Sequence, residues 1–351
     1  MSFARDSISK ISGYVPGEQP VDKTLIKLNT NENPYPPAAE IGSALRDFPY
    51  ERLRLYSEPS ARMVREEASR VHGIDASQII CGNGSDDLLT IALRTFVDQG
   101  GTLAYTDPSY SLYPVLADIQ GAQHRPVPLD EHFELPENAL ELAGDAQLFM
   151  LARPNAPTGN SFPLERVEKL CREFSGVVWI DEAYADFAED NCLALLEKYP
   201  NVVVSRTLSK SYSLAGLRLG LAFAPLPLIQ EMEKVKDSYN VDMLTQFLGK
   251  AALQAHAVML ANAERIKATR QWTTEKLEEL GCRVLPSQAN FLAVRPPRRA
   301  AEVFVALREQ GYLVRYFNLP RVSEYIRVTI GHREDMAGFV ACMTKICRQE
   351  D

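Results

Sequence analysis

Lys210 closes the run Ser205-Arg206-Thr207-Leu208-Ser209-Lys210, directly after the apolar stretch Val202-Val203-Val204. A lysine among small residues at the tip of a buried strand can offer a nucleophilic amine, and like-charge repulsion from Arg218 a little further on favours the neutral, reactive form. Read alone, it is equally a solvated surface lysine. Asp181 ends a second apolar stretch, Val177-Val178-Trp179-Ile180, and Tyr184 follows it closely. That pair can meet a cationic ring nitrogen and a phenolic oxygen together, although a lone carboxylate there is often a helix cap. Gly82-Asn83-Gly84-Ser85-Asp86 joins a strand-like segment to a helix beginning near Asp87. Glycines let the backbone approach, and free amides with the helix dipole make an anion site. Thr207, Ser209 and Arg218 can hold a phosphate with them. A fourth segment, Arg153-Pro154-Asn155-Ala156-Pro157-Thr158-Gly159, reads most simply as a pair of turns.

Each of these segments follows a candidate strand. Gln78 to Cys81, Thr102 to Tyr105, Gln147 to Leu151, Val177 to Ile180, Val202 to Val204 and Leu219 to Phe223 are short and apolar, as strands covered on both faces are. Helical patterns separate them, at Leu164 to Phe174 and Cys192 to Lys198 for instance. The alternation predicts an α/β unit with a mostly parallel sheet, in which ligands gather at the carboxyl ends of the strands. A long helical stretch from Leu244 to Leu280 follows, closed by Gly281. Strand-like Arg283 to Leu285, Phe291 to Val294, Tyr312 to Arg315 and Tyr325 to Val328 then alternate with helices at Ala300 to Gln310 and Arg333 to Arg348. The expected organisation is an arm (1–28), a large unit (29–262) and a smaller α+β unit (263–351).

The chain has 351 residues, enough for about two domains. Its 46% hydrophobic and 24% charged residues are ordinary for a globular protein and exclude disordered, collagenous and disulfide-scaffold classes. A net charge of −8 leaves no basic footprint for sequence-blind nucleic-acid binding, so an anionic substrate must be held by a few placed arginines. Met1 to Asp6 lacks the pattern of a signal peptide, and the apolar stretch from Leu219 to Ile229 is too short for a bilayer. Six scattered cysteines, without metal-ligand spacing, read as reduced thiols of a cytoplasmic protein. No metal is expected.

An imine-forming amine, an acid for a ring nitrogen, a hydroxyl for a phenolic oxygen and a phosphate cradle are the four handles of pyridoxal phosphate. Their order and spacing resemble the fold-type I aminotransferases. Three further segments resemble signatures of the histidinol-phosphate aminotransferase family: Lys27-Leu28-Asn29-Thr30-Asn31-Glu32-Asn33-Pro34-Tyr35-Pro36-Pro37, Leu214-Ala215-Gly216-Leu217-Arg218 after Lys210, and Leu285-Pro286-Ser287-Gln288-Ala289-Asn290-Phe291. The likeness runs from about Tyr14 to Gly331. It implies a large domain whose mostly parallel sheet is sandwiched by helices, with a smaller α+β domain beside it. It implies a homodimer that transaminates histidinol phosphate with 2-oxoglutarate in histidine biosynthesis.

Carried over residue by residue, the resemblance implies that Lys210 forms the Schiff base, Asp181 pairs with the pyridine nitrogen and Tyr184 bonds the phenolic oxygen. Tyr110 would stack on the ring. Gly84, Ser85, Asp86, Thr207, Ser209 and Arg218 would hold the phosphate, and Tyr56 would reach the neighbouring subunit's cofactor. Arg327 would take the substrate anion, helped by Arg315, Tyr14 and Asn33. Some positions depart from the family pattern. Ala156 stands where a second asparagine usually touches the phenolic oxygen, so either Asn155 substitutes from one position away or the contact is lost. Leu55-Tyr56-Ser57-Glu58 and His332 also differ from the usual residues. Related alternatives on the same scaffold are an aromatic amino-acid aminotransferase and a decarboxylase of a phosphorylated amino acid. A non-catalytic cofactor-binding regulator is disfavoured by the absence of a DNA-binding motif and by the presence of Lys210.

Overall fold

A computed structural model describes residues 3–21 and 24–348. Met1, Ser2, Asp22, Lys23 and residues 349–351 lie outside them, and with them parts of the expected arm and the outer end of the small unit. After the short strand β1 (Ile26–Lys27), the chain forms β2 (Ile79–Asn83), β3 (Thr102–Asp107), β4 (Gln123–Pro128), β5 (Leu148–Ala152), β6 (Val177–Asp181), β7 (Val202–Thr207) and β8 (Leu219–Phe223). These last seven make one sheet in the order β2-β8-β7-β6-β5-β3-β4. Only β8 runs against its neighbours.

The apolar runs are explained by burial on both sides. Phe149, Leu151, Val178, Ile180, Val202 and Val204 belong to one hydrophobic cluster, while Leu148, Met150, Trp179 and Val203 belong to another on the opposite face. Successive strand residues point to opposite faces, so a strand feeding two cores has no polar alternation to show. The fully buried Trp179 satisfies its indole N–H by donating to Ser205 Oγ at 3.0 Å. The edge strand β4 is the one large-sheet strand that the apolar pattern misses. Its Pro126 and Pro128 and its exposed Gln123 and His124 suit an edge, where a missing N–H costs little.

The second unit carries β9 (Arg283–Val284), β10 (Phe291–Arg295), β11 (Tyr312–Leu313), β12 (Arg315–Tyr316) and β13 (Ile326–Thr329). An antiparallel sheet runs β12-β13-β10-β9, and β11 instead pairs in parallel with β1 of the arm. The single strand expected at Tyr312 to Arg315 is thus divided between two sheets, with the buried Val314 at the joint. The helical stretch expected at Leu244 to Leu280 is two helices, Met243–Gln254 and His256–Glu278, and no residue type at the Ala255 break announces it. Gly281 adopts the left-handed φ of +79° expected of a glycine that stops a helix. The segment expected as a helix at Cys192 to Lys198 is a 3-10 turn, Leu193–Glu197. The expected division at 262/263 falls inside His256–Glu278. From this helix Arg270 Nη1 donates to both Phe187 O and Ala289 O, at 3.2 and 2.7 Å, tying large-sheet loops to the second unit.

The sheet also dictates which loops meet. Asp107, Ala152, Asp181 and Thr207 are the last residues of β3, β5, β6 and β7, and Gly84 follows β2 directly. Gly220 of β8 lets β8 and the Gly84 loop come together: a Cβ there would lie 2.5 Å from Gly84 C and 2.6 Å from Ser85 N. Backbone cannot yield as a side-chain tip can. Gly220→Ala is therefore expected to destabilise the protein by about 1–3 kcal/mol, read as a lower unfolding midpoint in urea at unchanged slope; a midpoint equal to the parent's would show that the loop has room.

Candidate active site

The loops at the carboxyl ends of the strands, closed over by the arm and the second unit, enclose a cavity of about 510 Å³. On its wall are Tyr14, Ser85, Asp86, Tyr110, Asp181, Tyr184, Thr207, Ser209, Lys210, Arg218, Arg315 and Arg327. Gly84, Asn33, Asn155 and Tyr56 are not on it.

Asp181 sits at one end, buried, opposite Ser205 in the β6–β7 register. Tyr113 Oη donates to its Oδ2 at 3.1 Å, and Ala183 N–H and Ser205 Oγ donate to its Oδ1 at 3.2 and 3.4 Å. Burial nevertheless pushes the carboxyl up to about 6, with the negative charge of Asp86 adding to the rise and the hydrogen bonds opposing it. A buried carboxylate without a cation is poorly stabilised, so the site favours a cationic ring nitrogen.

The end expected to take a phosphate is built from three adjacent strands, β2, β8 and β7. Gly84 has φ +84°, and a Cβ there would meet Arg218 Nη2 at 2.4 Å. Ser85 and Asp86 open the helix Ser85–Phe96, whose first amides have no intrahelical acceptor. Arg218 Nη1 donates to Ser209 Oγ at 3.3 Å, and Thr207 Oγ1 donates to the same oxygen at 3.0 Å. Asp86 lies 3.4 Å from Arg218 Nη2 and accepts from Tyr110 Oη at 3.1 Å. Burial and Asp86 together raise the Tyr110 hydroxyl's pKa far above its usual value, so it stays a donor.

Lys210 Nζ donates to Thr30 O at 3.2 Å and lies 5.8 Å from the Tyr184 ring centroid. Asn33, expected to touch substrate, instead donates through Nδ2 to Lys210 O and Ser211 O, at 3.0 Å each. It fixes the lysine's backbone because those two carbonyls need a donor. Asn155 is fully buried: it donates to Pro108 O and Thr158 Oγ1 and accepts from Ser109 Oγ, at 2.9, 2.8 and 2.8 Å. Its amide is spent on loop geometry, so Asn155 does not substitute at Ala156; Ala156 itself faces the cavity.

At the far end, Arg315 and Arg327 are paired across β12 and β13. Arg327 Nη2 donates to Asn29 O at 2.8 Å, its Nε is buried with no hydrogen-bond partner among the described residues, and its guanidinium lies 5.3 Å from the Phe291 ring and 5.4 Å from Phe317. Burial lowers its pKa from the ordinary value, and the neighbouring Arg315 adds to this. Arg315 donates to Pro16 O and Val15 O, at 3.3 and 3.2 Å. Tyr14 sets its ring edge against Tyr110 at 5.8 Å. Tyr56 is 80% exposed and stacks on Tyr239, ring centroids 4.5 Å apart, away from this chain's cavity.

Several cavity residues escape the motif reading. Thr30 and Asn31 lie inside the Lys27 to Pro37 segment, where only Asn33 stands out by likeness. Tyr113, three residues beyond Tyr110, is buried behind the wall, where it bonds Asp181. Arg321, at φ +69°, bonds Asp107 O at 3.1 Å and also Asp130 O, and no motif marks it.

The donor set fits pyridoxal phosphate: an amine, a glycine cradle that a Cβ would fill and, among the described residues, a buried carboxylate lacking a cation and unpartnered buried atoms at Arg327 Nε, Thr30 Oγ1 and Thr106 Oγ1 on the same wall. The chain belongs to the class I and II aminotransferases, whose family model, aminotransferase class I and II, matches residues 23–341. The large parallel sheet with its flanking helices and adjoining small unit is the fold of that class. Within it, the chain belongs with the histidinol-phosphate aminotransferases. It is 45% identical over 333 residues to the histidinol-phosphate aminotransferase of Synechocystis sp., covering 94% of each chain. It is 43% identical over 348 residues to that of Citrifermentans bemidjiense, covering 99% of each. Its fold is similar to the histidinol-phosphate aminotransferase of Sinorhizobium meliloti in complex with pyridoxal-5'-phosphate, with TM-score 0.90 and 24% identity over 99% of this chain and 98% of that one. A Thermus thermophilus aspartate aminotransferase mutant is more distant, with TM-score 0.82 and 18% identity over 99% and 100% of the two chains.

Because Asp181 titrates near 6 when folded and near 3.8 when unfolded, the folded apoprotein binds the extra proton between those values. Stability therefore falls as pH rises from about 4 to about 6, and above that the full cost, on the order of 3 kcal/mol, is present. Asp181→Asn is expected to raise the unfolding temperature of the apoprotein at pH 8 and to change it little at pH 4; an equal change at both values would place the cost elsewhere.

Proposed function

We infer that this chain is a pyridoxal-phosphate-dependent transaminase that interconverts histidinol phosphate and imidazole acetol phosphate, with 2-oxoglutarate and glutamate as the second pair. The observation carrying the reading is a single cavity whose wall presents the amine of Lys210, the buried carboxylate of Asp181 and the in-register arginines Arg315 and Arg327. When bound, the cofactor supplies an electrophilic carbonyl carbon and an electron-withdrawing ring. Asp181 would hold the proton on the ring nitrogen, because an adjacent anion favours the cationic form. Arg218, Ser209, Thr207 and the amides after Gly84 would hold the phosphate, with Tyr110 beside the ring and Tyr184 as donor to the phenolic oxygen. Lys210 Nζ, on the cavity wall, would be the base that takes the proton from the substrate Cα and hands it to the neighbouring carbon. Phe317, Leu319 and Val322 give the far side an apolar lining. Arg327 and Arg315 receive the anion of either substrate, a phosphate ester or a carboxylate.

The proposed active unit is a homodimer. Tyr50, Leu53, Leu55 and Tyr56 form an exposed apolar surface around the tyrosine that would serve the other subunit's site. The proposed units remain an arm (1–28), a large unit (29–262) and a small unit (263–351), with His256–Glu278 shared by the last two. A cytoplasmic setting is proposed from six free thiols, five of them buried, which suit a reducing compartment.

Borohydride treatment of the yellow protein is expected to fix the cofactor to Lys210, and Lys210→Ala to lose turnover by orders of magnitude; label on another lysine would end the reading. The substrate assignment is tested by assaying histidinol phosphate beside phenylalanine, tyrosine and histidine with 2-oxoglutarate, and a preference for phenylalanine would overturn it. In the same assay Arg315→Ala should weaken histidinol phosphate more than glutamate. A phosphate ester carries nearly two charges and three acceptor oxygens, and losing one charge-assisted bond costs about 1.5–3 kcal/mol, roughly ten- to a hundred-fold. Equal losses for both substrates would assign Arg315 to the shared site alone.

A further inference from the structure

Tyr184 Oη accepts a hydrogen bond from Asn31 Nδ2 at 2.9 Å. The orientation of that amide follows from its other partners. Asn31 N–H donates to Thr329 Oγ1 at 2.9 Å, and Thr329 Oγ1, having accepted there, turns its own proton to Asn31 Oδ1 at 3.2 Å. With Oδ1 accepting from Thr329, the Nδ2 end faces the tyrosine. Asn290 Nδ2 donates to Asn31 O at 2.9 Å, and Asn31 is buried at φ +55°. Both Thr329 and Asn290 belong to the second unit, at β13 and just before β10, whereas Tyr184 belongs to the large sheet.

A tyrosine hydroxyl has one proton and two lone pairs. Since Tyr184 accepts from Asn31, its proton is free to be donated into the cavity that Tyr184 lines, and accepting one bond strengthens donation of the next. The position from which a second amide would help is the methyl of Ala156, and Asn155 is committed elsewhere. We propose that Asn31 is a positioning residue that makes Tyr184 the donor to the cofactor's phenolic oxygen and links that bond to the seating of β13. The assignment rests on the cofactor reading above. The other titratable or charged groups facing Tyr184 are Lys210, Arg327 and Tyr110, and all are retained in the variants below.

Donation to the phenolic oxygen stabilises its anionic form and so lowers the pH at which the linkage between Lys210 and the cofactor loses its proton, a change visible in the protein's absorption. Asn31→Gly removes the amide and tolerates the left-handed backbone. Asn31→Asp keeps the shape but offers only acceptors, drawing the Tyr184 proton away from the cavity. Spectrophotometric titration of the holoenzyme should show the midpoint raised by about half a unit in Asn31→Gly, and raised further in Asn31→Asp. In a Tyr184→Phe background, Asn31→Gly should produce no added shift. A side chain that serves only packing would be rescued by the near-isosteric Asp, so a smaller shift in Asn31→Asp than in Asn31→Gly would overturn the proposal. So would an unmoved midpoint in Asn31→Gly, or a shift that persists without the Tyr184 hydroxyl. A parent protein lacking any Lys210-dependent colour would instead overturn the cofactor reading itself.

Discussion

The segment from Asn29 to Asn33 is where the two units are fastened together, and the site depends on it. Its backbone carbonyls accept from Arg327 and from Lys210, its side chains bond Tyr184 and the Lys210 backbone, and it is itself gripped by Thr329 and Asn290. Groups that arrive from β13, from the β7–β8 loop and from the end of β6 are thus referenced to one short stretch of chain. Displacing that stretch would move Lys210, Tyr184 and Arg327 together. The parallel pairing of β1 with β11 secures it from the N-terminal side.

Arginines are used in two different ways. Arg206 and Arg153, buried in the large unit, are matched with carboxylates: Arg206 with Glu182 and Asp186, Arg153 with Asp190. A buried guanidinium needs such partners, and removing one would leave an uncompensated charge. On the cavity wall, Arg315, Arg321 and Arg327 bond backbone carbonyls instead. Carbonyl dipoles orient a guanidinium without neutralising it, so its charge remains available to a ligand. A chain with net charge −8 can in this way keep cationic groups on a cavity wall without a basic surface.

The central sheet was legible because strands buried on both faces leave apolar runs, and Asp181 and Lys210 stood out as polar residues at the ends of such runs. The turn at Gly84 was legible as a glycine loop, although its closeness to Gly220 depends on β2 and β8 being neighbours, which no local pattern expresses. Asn155 misled because adjacency in the chain suggested substitution for Ala156, whereas in a tight turn neighbouring side chains point apart. Asn31 and Tyr113 were hidden for a related reason: their roles arise from contacts across the fold, with Tyr184 and Asp181. The edge strand β4, with its prolines, lacks the apolar signature altogether.

The distances along the chain between bonded partners differ greatly within this one cavity. Ser209 and Arg218 are nine residues apart, Lys210 and Thr30 are 180 apart, and Arg327 and Asn29 are 298 apart. Bringing remote segments together carries a loop-closure entropy that near neighbours escape, and contacts of high contact order form late. The β7–β8 hairpin, closed by Leu208 N–H bonding Leu219 O at 3.0 Å, can therefore bring Ser209 and Arg218 together early. The arginine clamp must wait until the last strands have met the first.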